Sequence, residues 1–150
     1  MFLHIKDVLT PEEITFFRQA LGPQAPWIEG ARSAGGQAIH QKNNLQLAQG
    51  SELSAQLQTM VKAALHRNAL FFSAALLRRI YNPLFNNYGD GANFYGNHVD
   101  SAVMHSKADN CWVRSDLSCT LFLTPPEDYD GGELVITETL GEKRIKLPAG

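Results

Sequence analysis

Cysteine is scarce: Cys111 and Cys119 are the only two in 150 residues. Two cysteines make no disulfide framework, so a stapled secreted scaffold is excluded and a reducing cytoplasm is the default compartment. No apolar run approaches the ~18 residues that suggest a membrane span. The opening, MFLHIKDVLTPEE, lacks the basic flank and long apolar stretch of a secretory signal. Charge of one sign is not in excess: 13 basic residues face 15 acidic ones, for a net charge of −2. That argues against a strongly basic nucleic-acid binder. There is no internal repeat, no low-complexity tract, no glycine-rich phosphate loop and no Ser-His-Asp arrangement. What remains is ordinary globular composition, 44% hydrophobic and 19% charged. The length suits one domain able to bury a core unaided.

Two kinds of periodicity share the chain. Thr10-Pro11-x-Glu13 reads as a capping box with proline at the first helical position. Ile14, Phe17 and Leu21 then recur at helical spacing, and Gly22 stops the helix. Residues 22–50 hold seven glycines and prolines and read as loop and irregular strand, with Gln37–Ile39 able to pair with a sheet edge. Ser51 opens a second helix, whose stripe is Leu53, Leu57, Met60, Val61, Ala64 and Leu65. No helix signal survives past about Phe72.

From there the chain reads as strands: Leu76–Tyr81, Leu84–Tyr88 and Phe94–Asp100. Asp116–Thr124 is the clearest. Its alternation predicts Leu117, Cys119, Leu121 and Leu123 buried against the helices, with Ser118, Thr120 and Phe122 on the other face. Pro125 and Pro126 end it. Asp130-Gly131-Gly132 and Leu140-Gly141-Glu142 are turns around the strands Glu133–Thr137 and Lys143–Leu147. Helices followed by short turn-linked strands describe an α+β domain with an antiparallel sheet or barrel.

The sharpest chemical signal is His98-Val99-Asp100. On a strand, residues two apart face the same way, about 6–7 Å apart along the chain. An imidazole and a carboxylate so placed are two thirds of the 2-His-1-carboxylate set that holds non-haem Fe(II). A bare His-x-Asp is weak, since most are surface or hydrogen-bonded pairs. Here Tyr88 and Tyr95 precede it, among Gly89, Gly91 and Gly96. Tyrosine hydroxyls can bind a carboxylate, and glycines let backbone approach a ligand closely.

The stretch from Tyr81 to Leu134 resembles the iron(II)/2-oxoglutarate-dependent dioxygenases of the prolyl-4-hydroxylase type, most closely the bacterial PKHD-type hydroxylases. The resemblance rests on Tyr95-Gly96-Asn97-His98-Val99-Asp100-Ser101-Ala102, Arg114-Ser115-Asp116-Leu117-Ser118 and Asp128-Tyr129-Asp130-Gly131-Gly132-Glu133-Leu134. It implies a double-stranded β-helix, a cupin-like jelly roll with N-terminal helices packed on one side. Residues 1–75 would be the helical support and 76–150 the N-terminal portion of the jelly roll, one structural domain in all. It implies Fe(II) held by His98 and Asp100, 2-oxoglutarate as cosubstrate near Tyr88 and Ser118, and L-ascorbate as an accessory reductant. No catalytic residue is expected beyond the metal ligands. The implied partner is a small-molecule or peptide substrate, with no nucleic acid and no membrane; a homo-oligomer stays open. The group is associated with iron acquisition.

The family also uses a second histidine on a later strand and, about ten residues beyond it, a cation for the distal carboxylate of 2-oxoglutarate. After Asp100 this sequence offers only His105, too close to serve. The expectation is therefore a jelly roll incomplete at its C-terminal side, and poor turnover of 2-oxoglutarate by these 150 residues. A non-catalytic jelly-roll binding module remains an alternative, and a zinc hydrolase a weaker one, since zinc wants three or four protein ligands.

Simpler readings stand beside each candidate. Tyr88 and Tyr95 can be packed aromatics. Arg114 suits a surface ion pair. Lys143, Arg144 and Lys146 suit a solvated face. His4, His40 and His66 are ordinary, His105 lies in a polar loop that could line an entrance, and Cys119 reads as a buried thiol.

Overall fold

Thr10 starts the first helix as its sequence prescribes. In the computed structural model, which describes residues 2–33, 42–89, 91, 93–106, 110–139 and 141–150, helix α1 spans Pro11–Ala20. The Thr10 hydroxyl accepts the Glu13 amide at 3.2 Å, and the Glu13 carboxylate accepts the Thr10 amide at 2.8 Å. Helix α2, Glu52–Arg67, is capped by Ser51, whose hydroxyl accepts the Ser54 amide at 3.1 Å. A break follows that the apolar stripe did not announce. Asn68 ends α2 and, through its side chain on the Phe71 amide, caps a separate helix α3, Ala69–Ala75. Leu76, at φ 45°, closes α3 in the left-handed region.

The strands are short. A three-stranded antiparallel sheet orders β1 (Trp27–Glu29), β3 (Leu45–Leu47) and β4 (Asn86–Asn87). Beside it β2 (Lys42–Asn43) pairs with β5 (Phe94–Tyr95), in the register Lys42 to Tyr95. Two hairpins follow: β6 (Val103–Ser106) with β7 (Cys111–Arg114), and β8 (Leu134–Glu138) with β9 (Gly141–Ile145). The protein is thus α+β, with three helices and small antiparallel sheets among the described residues. No helix among those residues is long and apolar enough to cross a membrane.

The core gathers Val8, Leu9, Phe17, Leu47, Leu57, Val61, Ala64, Leu65 and Phe85. It joins α1, α2 and the three-stranded sheet, with Leu121 and Leu123 packed against it. The carbonyl of Gly150 accepts the Val8 amide at 2.8 Å, while its own amide donates to the Phe122 carbonyl at 2.9 Å.

Several expected strands change. Leu76–Tyr81 forms no ladder, and only Asn86–Asn87 and Phe94–Tyr95 survive of the next two. Asp116–Thr124 pairs with no strand among the described residues, so the alternating burial fails. Leu117 is 60% exposed, Ser118, Cys119 and Thr120 are exposed as well, and Leu121, Phe122 and Leu123 are half-buried. Cys119 is therefore not a buried thiol. The polar stretch around His105 was expected as loop and instead forms the β6–β7 hairpin. Gln37–Ile39, His40 and Leu140 lie outside the described residues.

Candidate active site

Pairing of β5 with β2 sets the geometry of the segment that follows it. Beyond Tyr95 the chain leaves the ladder, and His98 and Asp100 lie in extended backbone without strand partners. Their side chains nevertheless converge, with His98 Nε2 3.3 Å from Asp100 Oδ1. The other nitrogen, Nδ1, is 2.8 Å from the Gly96 carbonyl oxygen. A carbonyl can only accept, so Nδ1 carries the hydrogen, and in the neutral ring Nε2 presents its lone pair. On the carboxylate side, the Ser118 hydroxyl donates to Asp100 Oδ2 at 2.9 Å, which leaves Oδ1 facing Nε2. Each side chain has one atom held by a neighbour, and the remaining two, Nε2 and Oδ1, face each other at 3.3 Å.

The imidazole is also held from its face. The Tyr95 ring stacks on it with centroids 3.8 Å apart and planes 17° apart. The Lys42 ammonium stands 5.0 Å from the centre of the Tyr95 ring, inside cation–π range. Lys42 is buried, and burial pulls its pKa below the usual lysine value. Tyr88 is 46% exposed; desolvation of its phenol pushes the pKa up, and the neighbouring Asn44 side chain opposes that rise.

Behind the wall lies a buried amide cluster. Asn44 Nδ2 and Gln46 Nε2 both donate to Asn86 Oδ1, at 3.1 and 3.0 Å. Asn44 and Gln46 are 3% and 1% exposed, and the carbonyl oxygen of each is buried without a partner. Gly30 makes room for this cluster: a Cβ there would sit 1.8 Å from Asn44 Oδ1. The glycine near the site with left-handed backbone is Gly91, at φ 78°, whose carbonyl accepts Asn43 Nδ2 at 2.8 Å.

The comparisons with known proteins bear on this arrangement. No family model matches the chain. A PKHD-type hydroxylase of Variovorax paradoxus (strain S110) is 53% identical over all 150 residues. A PKHD-type hydroxylase of Polaromonas sp. is 49% identical and the PKHD-type hydroxylase YbiX of Shigella dysenteriae serotype 1 is 50% identical, each over the same 150 residues. The chain is a homologue of the PKHD-type hydroxylases. It spans 65–66% of the length of these relatives.

Within this PKHD-type homologue, Ser118 contacts Asp100, Asp100 contacts His98 and Tyr95 stacks on the His98 ring, while Tyr88 lies near Asn44 and Tyr95. His105 goes elsewhere, packing its ring edge on Trp112 at 4.9 Å in the β6–β7 hairpin. Arg114 pairs with Asp116 at 2.9 Å, the surface ion pair expected of it. Lys146 departs from the solvated face: half-buried, its ammonium lies 4.0 Å from the Tyr129 ring centre and donates to the Tyr129 carbonyl. Among the described residues no third His, Cys, Asp or Glu joins the pair. Lys42, Asn44 and Gln46 were missed from sequence. Their signal is three polar residues on alternate positions of a short extended run, which marks one buried polar face.

Proposed function

We propose that the chain carries the first two ligands and the supporting wall of an iron(II)- and 2-oxoglutarate-dependent hydroxylase, built on the N-terminal portion of a jelly roll. The observation that carries this reading is the pair of aimed atoms, His98 Nε2 and Asp100 Oδ1, 3.3 Å apart. Two donors bound side by side to one ion at about 2.1 Å each lie ~3.0 Å apart. The residues present thus fit two of the three ligand positions of the 2-His-1-carboxylate set. Hydrogen bonds from each ligand's remaining atom are the usual means of fixing tautomer and orientation.

The chemistry supplied by iron(II) with 2-oxoglutarate and dioxygen is oxidative decarboxylation to succinate coupled to hydroxylation of a substrate C–H bond. The chain's own residues supply the rest. His98 and Asp100 would hold the metal, Gly96 and Ser118 fix their free atoms, and Tyr95 blocks rotation of the imidazole. Tyr88 would orient the cosubstrate carboxylate. The hydroxylase names of the relatives support the reaction class. A cytoplasmic location, a small-molecule or peptide substrate and accessory L-ascorbate belong to the same proposal. So does the division into helical support (1–75) and jelly roll (76–150). The pairing of β3 with β4 and of β2 with β5 supports reading the two parts as one domain.

The test is anaerobic titration of the chain with Co(II), a spectroscopic stand-in for Fe(II), followed by succinate assay with Fe(II), ascorbate and 2-oxoglutarate. Expected is a visible Co(II) band that His98→Ala and Asp100→Ala each abolish. A band untouched by both substitutions sinks the site. The alternative, a non-catalytic binding module, draws on the lack of a third ligand among the described residues. It predicts no Co(II) band in the chain itself, and none in a version extended to the length of its relatives.

A further inference from the structure

Beside the C-terminal half of α2 lies a groove of about 240 Å³ that shares no residue with the His98–Asp100 site; Lys62, His66, Leu77, Arg78, Arg79 and Ile80 line it. Four of the six carry cationic or protonatable nitrogen, and none carries a carboxylate. Lys62 and His66 are one helical turn apart on α2, so they project from one face. Arg78 and Arg79 face them from the extended segment after α3.

The charge here is uncompensated. Of the chain's 15 acidic residues none falls between Glu52 and Asp90, a stretch that holds Lys62, His66, Arg67, Arg78 and Arg79. Elsewhere arginines are paired: Arg18 with Asp128, Arg67 with Glu13, Arg114 with Asp116, and Arg144 with Glu142. Among the described arginine side chains, only Arg78 and Arg79 lack a carboxylate partner, and they are adjacent and open to the same groove. Lys62 and Arg79 are nonetheless positioned by uncharged partners. Lys62 donates to Asn82 Oδ1 at 2.6 Å, and Arg79 donates from Nη1 to the Cys111 sulfur at 2.6 Å. Stacking basic groups across a helical turn and opposite two arginines opposes folding, so packing alone gives no reason for the arrangement.

We propose that this groove binds a small, multiply charged oxyanion. Guanidinium forks match the paired oxygens of phosphate and carboxylate groups, and the flanking ammonium adds a point charge. The volume falls below the ~300 Å³ at which drug-sized ligand sites begin, so the occupant is small. A nucleic acid would need a longer cationic track than one groove on a chain of net charge −2.

The experiment titrates the full chain with sodium pyrophosphate and, separately, with sodium citrate, by calorimetry and amide NMR in 50 mM NaCl. Expected is saturable one-site binding of at least one anion, with shifts confined to the C-terminal half of α2 and residues 77–80. Preference for pyrophosphate marks a phosphate ligand, and preference for citrate a carboxylate one. Arg78→Gln/Arg79→Gln should weaken binding at least about tenfold, while Arg144→Gln, a surface arginine outside the groove, stays within about twofold. Should the double variant fail to fold by circular dichroism, Arg78→Gln alone, exposed and unpaired, should still cost roughly fivefold. The proposal is overturned if neither anion saturates below about 10 mM, if the arginine variants bind like the parent, or if the shifts map elsewhere.

Discussion

Ser118 touches the proposed ligand pair, His98 and Asp100, only through Asp100 Oδ2, which makes it a positioning residue in that proposal. Removing its hydroxyl frees the carboxylate to rotate away from His98 Nε2. Substitutions of such outer partners typically cost 10–100-fold in metal affinity. Ser118→Ala should therefore weaken Co(II) binding by roughly that factor, and Ser118→Thr should restore it. Thermal stability should barely change, because Ser118 is exposed. An unchanged Co(II) affinity in Ser118→Ala would show that Asp100 is oriented by something else. The neighbourhood of His98 was legible in sequence because His-x-Asp and its flanking tyrosines are contiguous. The amide cluster was not. Gln46 and Asn86 are 40 positions apart and meet only once β3 pairs with β4.

Glu13 links two helices. Its carboxylate closes the α1 capping box and also receives the Arg67 guanidinium from the end of α2, with Nη1 2.7 Å from Oε1. Arg67 in turn donates to the Val8 carbonyl at 3.0 Å. The hydrogen bond from Arg67 holds the Glu13 pKa below the ordinary glutamate value, and the Thr10 amide adds to it. A carboxylate depressed in the folded state contributes stability in full above its unfolded pKa and loses it as pH falls through the folded one. The parent chain should therefore lose stability more steeply than Glu13→Gln as the pH drops from about 5 to about 3. Urea titrations at pH 7, 5, 4 and 3 decide it: parallel pH profiles for the two proteins would mean that the pair is silent. The starts of α1 and α2 were readable because a cap is written within four residues, whereas the break at Asn68 was not. Among the strands, Glu133–Thr137 and Lys143–Leu147 were readable and correspond to β8 and β9; others were not, since alternation shows that a segment could sit in a sheet without supplying its neighbour. Asp116–Thr124 alternates well and pairs with no strand among the described residues. Val103–Ser106 alternates poorly and forms a ladder with Cys111–Arg114.

Across the molecule, burial is lopsided. Every residue of the main buried cluster falls between Val8 and Phe85. Large apolar side chains are open further on, with Val99 96%, Trp112 71% and Leu117 60% exposed, and also around α3, with Phe72 65% and Leu76 78% exposed. Regions with few buried contacts open at lower free energy than the core. Hydrogen exchange read by mass spectrometry should find α2 amides slowest, and residues 97–102 and 116–120 fast, within the first minutes. Equal protection of the two regions would contradict the uneven packing. The fold class was legible from the order of helices and strands, whereas the placement of the core was not, because it depends on which strands find partners.

The stacking of Tyr95 on His98 has a magnetic consequence. An aromatic ring lying nearly parallel over an imidazole at 3.8 Å screens the nuclei beneath it through its circulating electrons. The carbon-bound protons of His98 should then resonate upfield of those of His4 and His66, which have no such ring above them. The displaced His98 signals are a reporter on that ring, so binding of the metal ion proposed beside Nε2 can be followed in the unlabelled protein.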